Sequence, residues 1–451
     1  MTTLAVVGLI TLIVMMVALG QPVYVLIGSV SAYLLLQGGV YDSFMALTDM
    51  VESTRRLGDQ EILLAIPFFI VAGSLMTEGD IAKRLIDFAK ACFGWLPGGV
   101  AISATFACVF FAAISGSSPV TVIAIGSIMF PAMLEEGYRE RFANGLVTSA
   151  GSLGILIPPS IPMIVYAIAA GGFVEPVQTQ LVEGGAELGV KDLFLAGVGP
   201  GLIIAVLFSI YSIIEGIRGK IPRQAFSVRE IIRTGRRGFW ALMLPVVILG
   251  GIYSGAFTAT AAACVAVVYS LLVERYIHRS IGFDNARKVI VESTVLIGAL
   301  LLILALAGAF NTYLTRAQVA QAAVEQLLAW NMGPVAFLLA VNILLLIAGC
   351  FMDILSAILI LVPMLAPIAL QMGIHPLHLG VVFIVNLEIG YLTPPLGINL
   401  FVSSSLFKRS LGEVIRGVVP FTALMLVSLM AVTYVPTISL GLVAMLHGGD
   451  F

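Results

Sequence analysis

Charge is what this sequence has least of: Asp, Glu, Lys and Arg together make up 11% of 451 residues. A water-soluble domain carries about a quarter charged residues, so this chain cannot cover its outside with water-compatible groups. Basic excess is missing as well. The net charge is −2, which excludes nucleic acid as a partner, because that needs a basic stripe. Cysteine is scarce. Cys92, Cys108, Cys264 and Cys350 lie in or beside apolar runs without CxxC spacing and read as small packing residues, not disulfides or metal ligands. No HExxH and no nucleophile–base motif is present, so an enzyme is not expected. Residues 4–19 are apolar but lack a basic leader and a small-residue cleavage site; they read as a first span rather than a removable signal.

What is present is hydrocarbon. Sixty per cent of residues are apolar and the mean hydropathy is +1.08. Spans of about 20 residues fit at 4–20, 22–39, 61–77, 194–216, 239–256, 258–276, 293–313 and 413–435. Two further apolar regions, 97–171 and 334–407, are interrupted by Gly, Ser and Pro clusters. Irregular backbone at membrane depth survives only when buried in protein or lining a cavity. Those interruptions are therefore the functional candidates.

Polar stretches at Asp80–Cys92, Ser227–Arg237 and around Asp284 read as surface helices. Ser227 and Glu230 are spaced as a capping box, and Asp284 is placed as a cap. With both chain ends periplasmic, 19 of the 23 basic residues fall on the cytoplasmic side, as the positive-inside bias requires. The acidic loop 172–192, with Glu175, Glu183, Glu187 and Asp192, then faces the periplasm.

Shifted by 236 residues, the chain matches itself: Pro131 with Pro367, Leu134 with Leu370, Gly137 with Gly373, Gly154 with Gly390, Leu156 with Leu392, and Pro158-Pro159 with Pro394-Pro395. In the topology above the two copies run in opposite directions, the inverted-repeat plan of secondary transporters. Each copy reads as a hairpin followed by a broken helix. The tips are Ser115–Pro119 and Gly349–Asp353; the breaks are Gly151–Pro159 and Glu388–Pro395.

Proline removes an N–H and frees upstream carbonyls. Freed carbonyls suit a small cation, and half-helix N-termini suit an anion. Ser115, Ser117, Ser118 and Thr121 add hydroxyls, while Asp353 and Thr393 add oxygen in the second copy. Hard oxygen donors without a Cys/His cluster favour an alkali cation over a transition metal. The anion candidates are Ser117, Ser118, Thr121, Pro159, Ser160, Thr393, Pro395 and Asn399. Glu388, opening the second break, is a proton site, a gate contact or a satisfied structural carboxylate. His375 and His378 are placed in a loop and are given no role.

The runs Ala113-Ile-Ser-Gly-Ser-Ser-Pro-Val-Thr121, Gly151-Ser-Leu-Gly-Ile-Leu-Ile-Pro-Pro-Ser-Ile-Pro162 and Asn386-Leu-Glu-Ile-Gly-Tyr-Leu-Thr-Pro-Pro-Leu-Gly-Ile-Asn399 resemble the large membrane subunit of TRAP transporters. So do Leu64-Ala-Ile-Pro-Phe-Phe69 and Leu249-Gly-Gly-Ile-Tyr-Ser-Gly-Ala-Phe-Thr258, and the wording is nearest the C4-dicarboxylate branch, DctM-like. The resemblance implies an all-α polytopic membrane protein of the ion-transporter-superfamily elevator type. It also implies a sodium-driven importer of small organic anions in the bacterial inner membrane. Its partners would be a small four-helix membrane subunit, expected as a separate chain, and a periplasmic substrate-binding protein. No cofactor is implied beyond sodium as the coupling ion.

The family's sodium sites fall on Ser115, Gly116, Ser117, Gly154 and Ile157, and on Gly349, Met352, Asp353, Gly390 and Thr393. The segment 172–192 departs from the family in being longer and more acidic. The chain divides into scaffold helices (1–60), a first repeat (61–171), a connecting region (172–292), a second repeat (293–407) and a C-terminal span (408–451). The competing reading is a self-sufficient sodium/dicarboxylate symporter that works without a binding protein.

Overall fold

The computed structural model describes residues 3–19, 23–37, 61–181, 189–317, 332–395 and 397–447, with positions 21, 48, 51, 52, 55, 325 and 326. The side chains of 172–181 are outside that description, as are residues 182–188, so of the four acidic side chains of the expected loop only Asp192 is described. Among the described residues the protein is all helix, and seven helices are long and apolar enough to cross a membrane.

In chain order α1 is Thr3–Ala18 and α2 Val23–Gln37; a 3-10 turn at Glu61–Leu64 leads into α3, Ala65–Glu78. Next, α4 (Ile81–Phe93) is the amphipathic helix expected from its pattern, with Ile81, Leu85, Ile86 and Ala89 buried. Its N-terminus is capped from afar, because the Glu274 carboxylate accepts from Asp80 N at 3.1 Å and Ile81 N at 2.8 Å. That fixes the helix which feeds the first hairpin. The first repeat then comprises α5 (Gly99–Ser115), α6 (Ser118–Glu135), α7 (Glu140–Ala150), a 3-10 turn (Gly151–Ile155) and α8 (Ile161–Leu181).

The connecting helices are α9 (Val190–Arg218), α10 (Val228–Arg237), α11 (Phe239–Tyr253), α12 (Ala259–Leu272, with a π turn to Ile277) and α13 (Phe283–Arg316). The second repeat is α14 (Pro334–Phe351), α15 (Ile354–Gln371), α16 (Pro376–Gly390) and α17 (Ile398–Phe407). Two more helices, α18 (Leu411–Tyr434) and α19 (Thr437–His447), end the chain.

The repeat is accurate to the residue. α5 and α14 end at Ser115 and Phe351; α6 and α15 start at Ser118 and Ile354 and end at Glu135 and Gln371; α7 and α16 start at Glu140 and Pro376. Every pair is 236 apart, the offset read from the sequence. The left-handed turns at Gly137 and Gly373 match as well, and so do the cis Pro158-Pro159 and Pro394-Pro395 bonds. The copies interlock: α8 packs on α15 and α17 packs on α6, so the far half of each broken helix lies against the other copy's hairpin.

Four expectations are corrected. The helix foreseen around Asp284 and the span at 293–313 are one continuous helix, α13, and Asp284 lies inside its first turn. Ser227 accepts from Glu230 N at 3.3 Å, but the Glu230 carboxylate goes to Arg233; the full capping box is at Ser410 and Glu413. The helix α8 carries the backbone on to Leu181, where a loop from 172 was expected. The short α19, packed on α9, was not foreseen, although Thr437–His447 is apolar.

Candidate functional site

Each hairpin tip is only two residues long, shorter than the sequence suggests: Gly116-Ser117 and Met352-Asp353. Gly349 and Cys350 belong to α14, and Glu388 sits inside α16, not in the break.

The first tip turns at Gly116, whose φ of 59° is left-handed and suits glycine. Its N–H closes α5 on Ala112 O at 3.2 Å, and its carbonyl accepts from Ile161 N at 3.4 Å, so tip and break are tied. Thr121 Oγ1 donates to Ser117 O at 2.8 Å and lies 3.0 Å from Ser115 Oγ. Since the Thr121 proton goes to the carbonyl, Ser115 donates to Thr121. The lone pairs of Ser115 and one of Thr121 stay open to a cation. Gly154 comes so near that a Cβ there would stand 2.6 Å from Thr121 Oγ1 and 2.7 Å from Ser117 O. The Ile157 side chain packs toward Gly201, which leaves only its carbonyl as a donor to an ion. Ser160 caps α8, accepting from Met163 N at 3.3 Å and donating to Ile155 O. Pro159 turns its carbonyl to Gly116.

The second tip holds Asp353 in the position equivalent to Ser117, at the N-terminus of its helix. Asp353 Oδ1 accepts from Leu355 N and Ser356 N, both at 3.0 Å, and Oδ2 accepts from Ser356 Oγ. Three of the roughly four lone-pair sites of the carboxylate are engaged, and one remains. Gly390, the equivalent of Gly154, meets Gly349 backbone to backbone: a Cβ on Gly390 would stand 2.6 Å from the Gly349 Cα. Thr393 donates to Ile389 O at 2.8 Å, and Pro395 is exposed. Met352 is half-buried, with its N–H on Ala348 O at 2.9 Å.

At the start of α6 a side-chain bond reaches the other copy. Asn399 Nδ2, on α17, donates to Ser118 Oγ at 2.6 Å, and both residues are fully buried. Asn399 Oδ1 has no partner. The structure thus unites Ser115, Gly116, Ser117, Thr121 and Gly154, and joins Ser118 to Asn399. Gly349 and Gly390 form a separate contact, beside Asp353 and Thr393 in the second copy. Among the described residues no Lys or Arg side chain hydrogen-bonds or ion-pairs with either tip or break.

Sequence reasoning missed a buried polar chain behind the site. Asn386 donates to Asn342 at 2.8 Å, Asn342 donates to Thr433 at 3.1 Å, and His378 contacts Thr433 O and Ser439 Oγ. His378 is therefore a buried helix residue and not part of a loop; His375 caps the same helix. Polar side chains inside apolar helices were the available signal.

The family model described as "Tripartite ATP-independent periplasmic transporter, DctM component" matches residues 9–438. The C4-dicarboxylate TRAP transporter large permease protein DctM of Pseudomonas aeruginosa is 46% identical over 381 residues, 84% of this chain and 86% of that protein. Its namesake in Vibrio cholerae is 38% identical, covering 99% of each chain. The ectoine/5-hydroxyectoine TRAP transporter large permease protein of Ruegeria pomeroyi is 36% identical over 95% of this chain and 96% of its own. Among solved structures, the Alcanivorax borkumensis YdaH transporter superposes with a TM-score of 0.63 at 14% identity, covering 89% of this chain and 88% of that one, a likeness of fold alone. This chain, a multi-pass membrane protein and not an enzyme, belongs to the DctM family, the large permease components of tripartite ATP-independent periplasmic transporters.

Proposed function

We propose that this permease imports small organic anions, C4-dicarboxylates first among them, in the bacterial inner membrane. Import is coupled to sodium, depends on a periplasmic substrate-binding protein, and needs a separate small four-helix membrane subunit. The hairpins and broken helices move as one body against a scaffold in an elevator cycle. The observation that carries the reading is the pair of matched tips and breaks: oxygen-rich, furnished with half-helix N-termini, and free of basic side chains among the described residues. A dianion held by N–H groups, hydroxyls and bound sodium alone is held modestly. Capture at low concentration then falls to a soluble receptor.

The test is uptake of micromolar succinate by proteoliposomes containing the permease and its small subunit, with sodium outside. Uptake is expected only when the cognate receptor is added. Equal uptake without it would favour the self-sufficient symporter.

Asp353→Asn separates coupling from folding. Asn caps a helix about as well as Asp, within a few tenths of a kcal/mol, and keeps an acceptor for Leu355 N and Ser356 N. The negative charge beside the proposed ion is lost. The sodium concentration for half-maximal uptake is expected to rise about tenfold, equivalent to ~1.4 kcal/mol, with expression unchanged. Collapse of expression with an unaltered sodium dependence would make Asp353 purely structural.

A further inference from the structure

Away from the tips and breaks, α4 and α10 enclose a polar cleft of about 280 Å³. Arg84, Lys90, Arg233 and Arg237 line it against Asp87 and Glu230. Two bonds hold its walls together: Arg84 Nη1 donates to Arg237 O at 2.7 Å, and Gln224 N donates to Gly94 O at 3.1 Å.

The charges of the cleft do not close on themselves. Glu230 is taken by Arg233 at 2.5 Å. Arg84 Nη2 reaches Asp80 only at 3.9 Å, and Arg84 Nε is buried without a partner. Among the described residues no hydrogen bond or ion pair engages the Lys90 or Arg237 side chain. In the lining, Asp87 is then the one carboxylate left to offset Arg84, Lys90 and Arg237. A basic cavity with an unused buried N–H donor calls for an anion. Guanidinium forks beside an ammonium suit the oxygens of a phosphate.

Position decides which phosphate. α10 meets the apolar α11 at a bend of 71°, and Gly238, at that bend, lines the cleft. With α11 crossing the bilayer, α10 lies close to its surface, as its amphipathic pattern requires. The cleft is then at headgroup depth, on the side that the basic excess makes cytoplasmic. The same segments expose Trp95, Phe226, Val228, Ile232, Phe239 and Trp240. A free phosphate would leave that apolar surface bare. Acyl chains attached to the phosphate would cover it.

We infer that this cleft binds the headgroup phosphate of an anionic phospholipid from the cytoplasmic leaflet through Arg84, Lys90 and Arg237. The lipid bridges α10 and α4, the helix that feeds the first hairpin. The site stands apart from the sodium and receptor reading and holds whichever solute is carried.

The test is native mass spectrometry of the detergent-purified full-length chain, titrated with phosphatidylglycerol, phosphatidylcholine or inorganic phosphate. Wild type is expected to retain phosphatidylglycerol in preference to phosphatidylcholine. Lys90→Gln/Arg237→Gln should bind phosphatidylglycerol about thirtyfold more weakly, since each basic group near a lipid surface is worth roughly fivefold in affinity. Arg287→Gln/Lys288→Gln, the same loss of charge on α13, should bind as wild type does. Asp87→Asn removes the opposing carboxylate and should bind about fivefold more tightly, a gain that unfolding cannot imitate. No preference in wild type, undiminished binding in the Lys90 and Arg237 variant, or an equal loss in the α13 variant would each overturn the proposal. So would the absence of a gain in Asp87→Asn, or displacement of the lipid by millimolar inorganic phosphate.

Discussion

Replacing external sodium by choline is expected to bring uptake down to the level of protein-free liposomes, a loss of at least about a hundredfold. The reasoning starts from charge. A dicarboxylate brings two negative charges to a site where, among the described residues, no Lys or Arg pairs with tip or break. What the first copy offers is the ordered chain from Ser115 to Thr121 to the Ser117 carbonyl, and the second offers Asp353 with one lone-pair site left. Those groups are electronegative and would repel the substrate unless a cation lay between. One unit charge about 4 Å away contributes ~4 kcal/mol at an effective dielectric of 20. Removing sodium thus removes the attraction and exposes the repulsion. Choline cannot substitute, since its methyl groups keep oxygen ligands at a distance. Undiminished uptake driven by a proton gradient without sodium would defeat this account.

The repeat was legible because its signal is local and chemical. At the Pro-Pro breaks the ring meets the carbonyl four residues back and the helix ends a turn upstream, whereas Pro131 and Pro367 are carried inside α6 and α15. α16 accordingly stops at Gly390, four residues before Pro394, and Glu388 stays helical. The sequence reading went astray where glycine was taken as the breaker. Gly349 lies within α14, so the tip is shorter than its glycine suggested. The 284–288 helix and the 293–313 span merge for a different reason: the residues between them, Val289-Ile-Val-Glu292, hold neither glycine nor proline, and no proline interrupts α13.

Partners were not legible. Asn399 and Ser118 are 281 residues apart, and Ser152 and Glu388 are 236 apart. Periodicity tells which face of a helix is apolar; it does not tell which polar residue across the core will meet Asn386 or His378. Only the packing of α17 on α6, of α16 on the first break, and of α14, α18 and α19 on α16 turns those residues into contacts.

Gly154→Ala and Gly390→Ala, the two equivalent positions, are expected to cripple transport while leaving a folded, inserted protein. A methyl at Gly390 would sit 2.6 Å from both the Cα and the carbonyl carbon of Gly349, and at Gly154 it would sit 2.6 Å from Thr121 Oγ1. Main chain cannot rotate aside as a side-chain tip does, so the tip of the second hairpin must move away from the break. Such overpacking costs about 1–3 kcal/mol, which a protein of this size survives, yet a shift of a few tenths of an ångström spoils ligand distances at a cation site. Maximal uptake should fall by tenfold or more, about 1.4 kcal/mol or above, and the sodium half-saturation should rise in both variants. Gly154→Ala should be the milder of the two, because one of its two near neighbours is a hydroxyl that can turn. Gly250→Ala on α11, where a Cβ meets nothing within 4 Å, supplies the control and should transport as the parent does. Normal sodium dependence in Gly390→Ala would show that the tip of the second hairpin and its break do not share an ion.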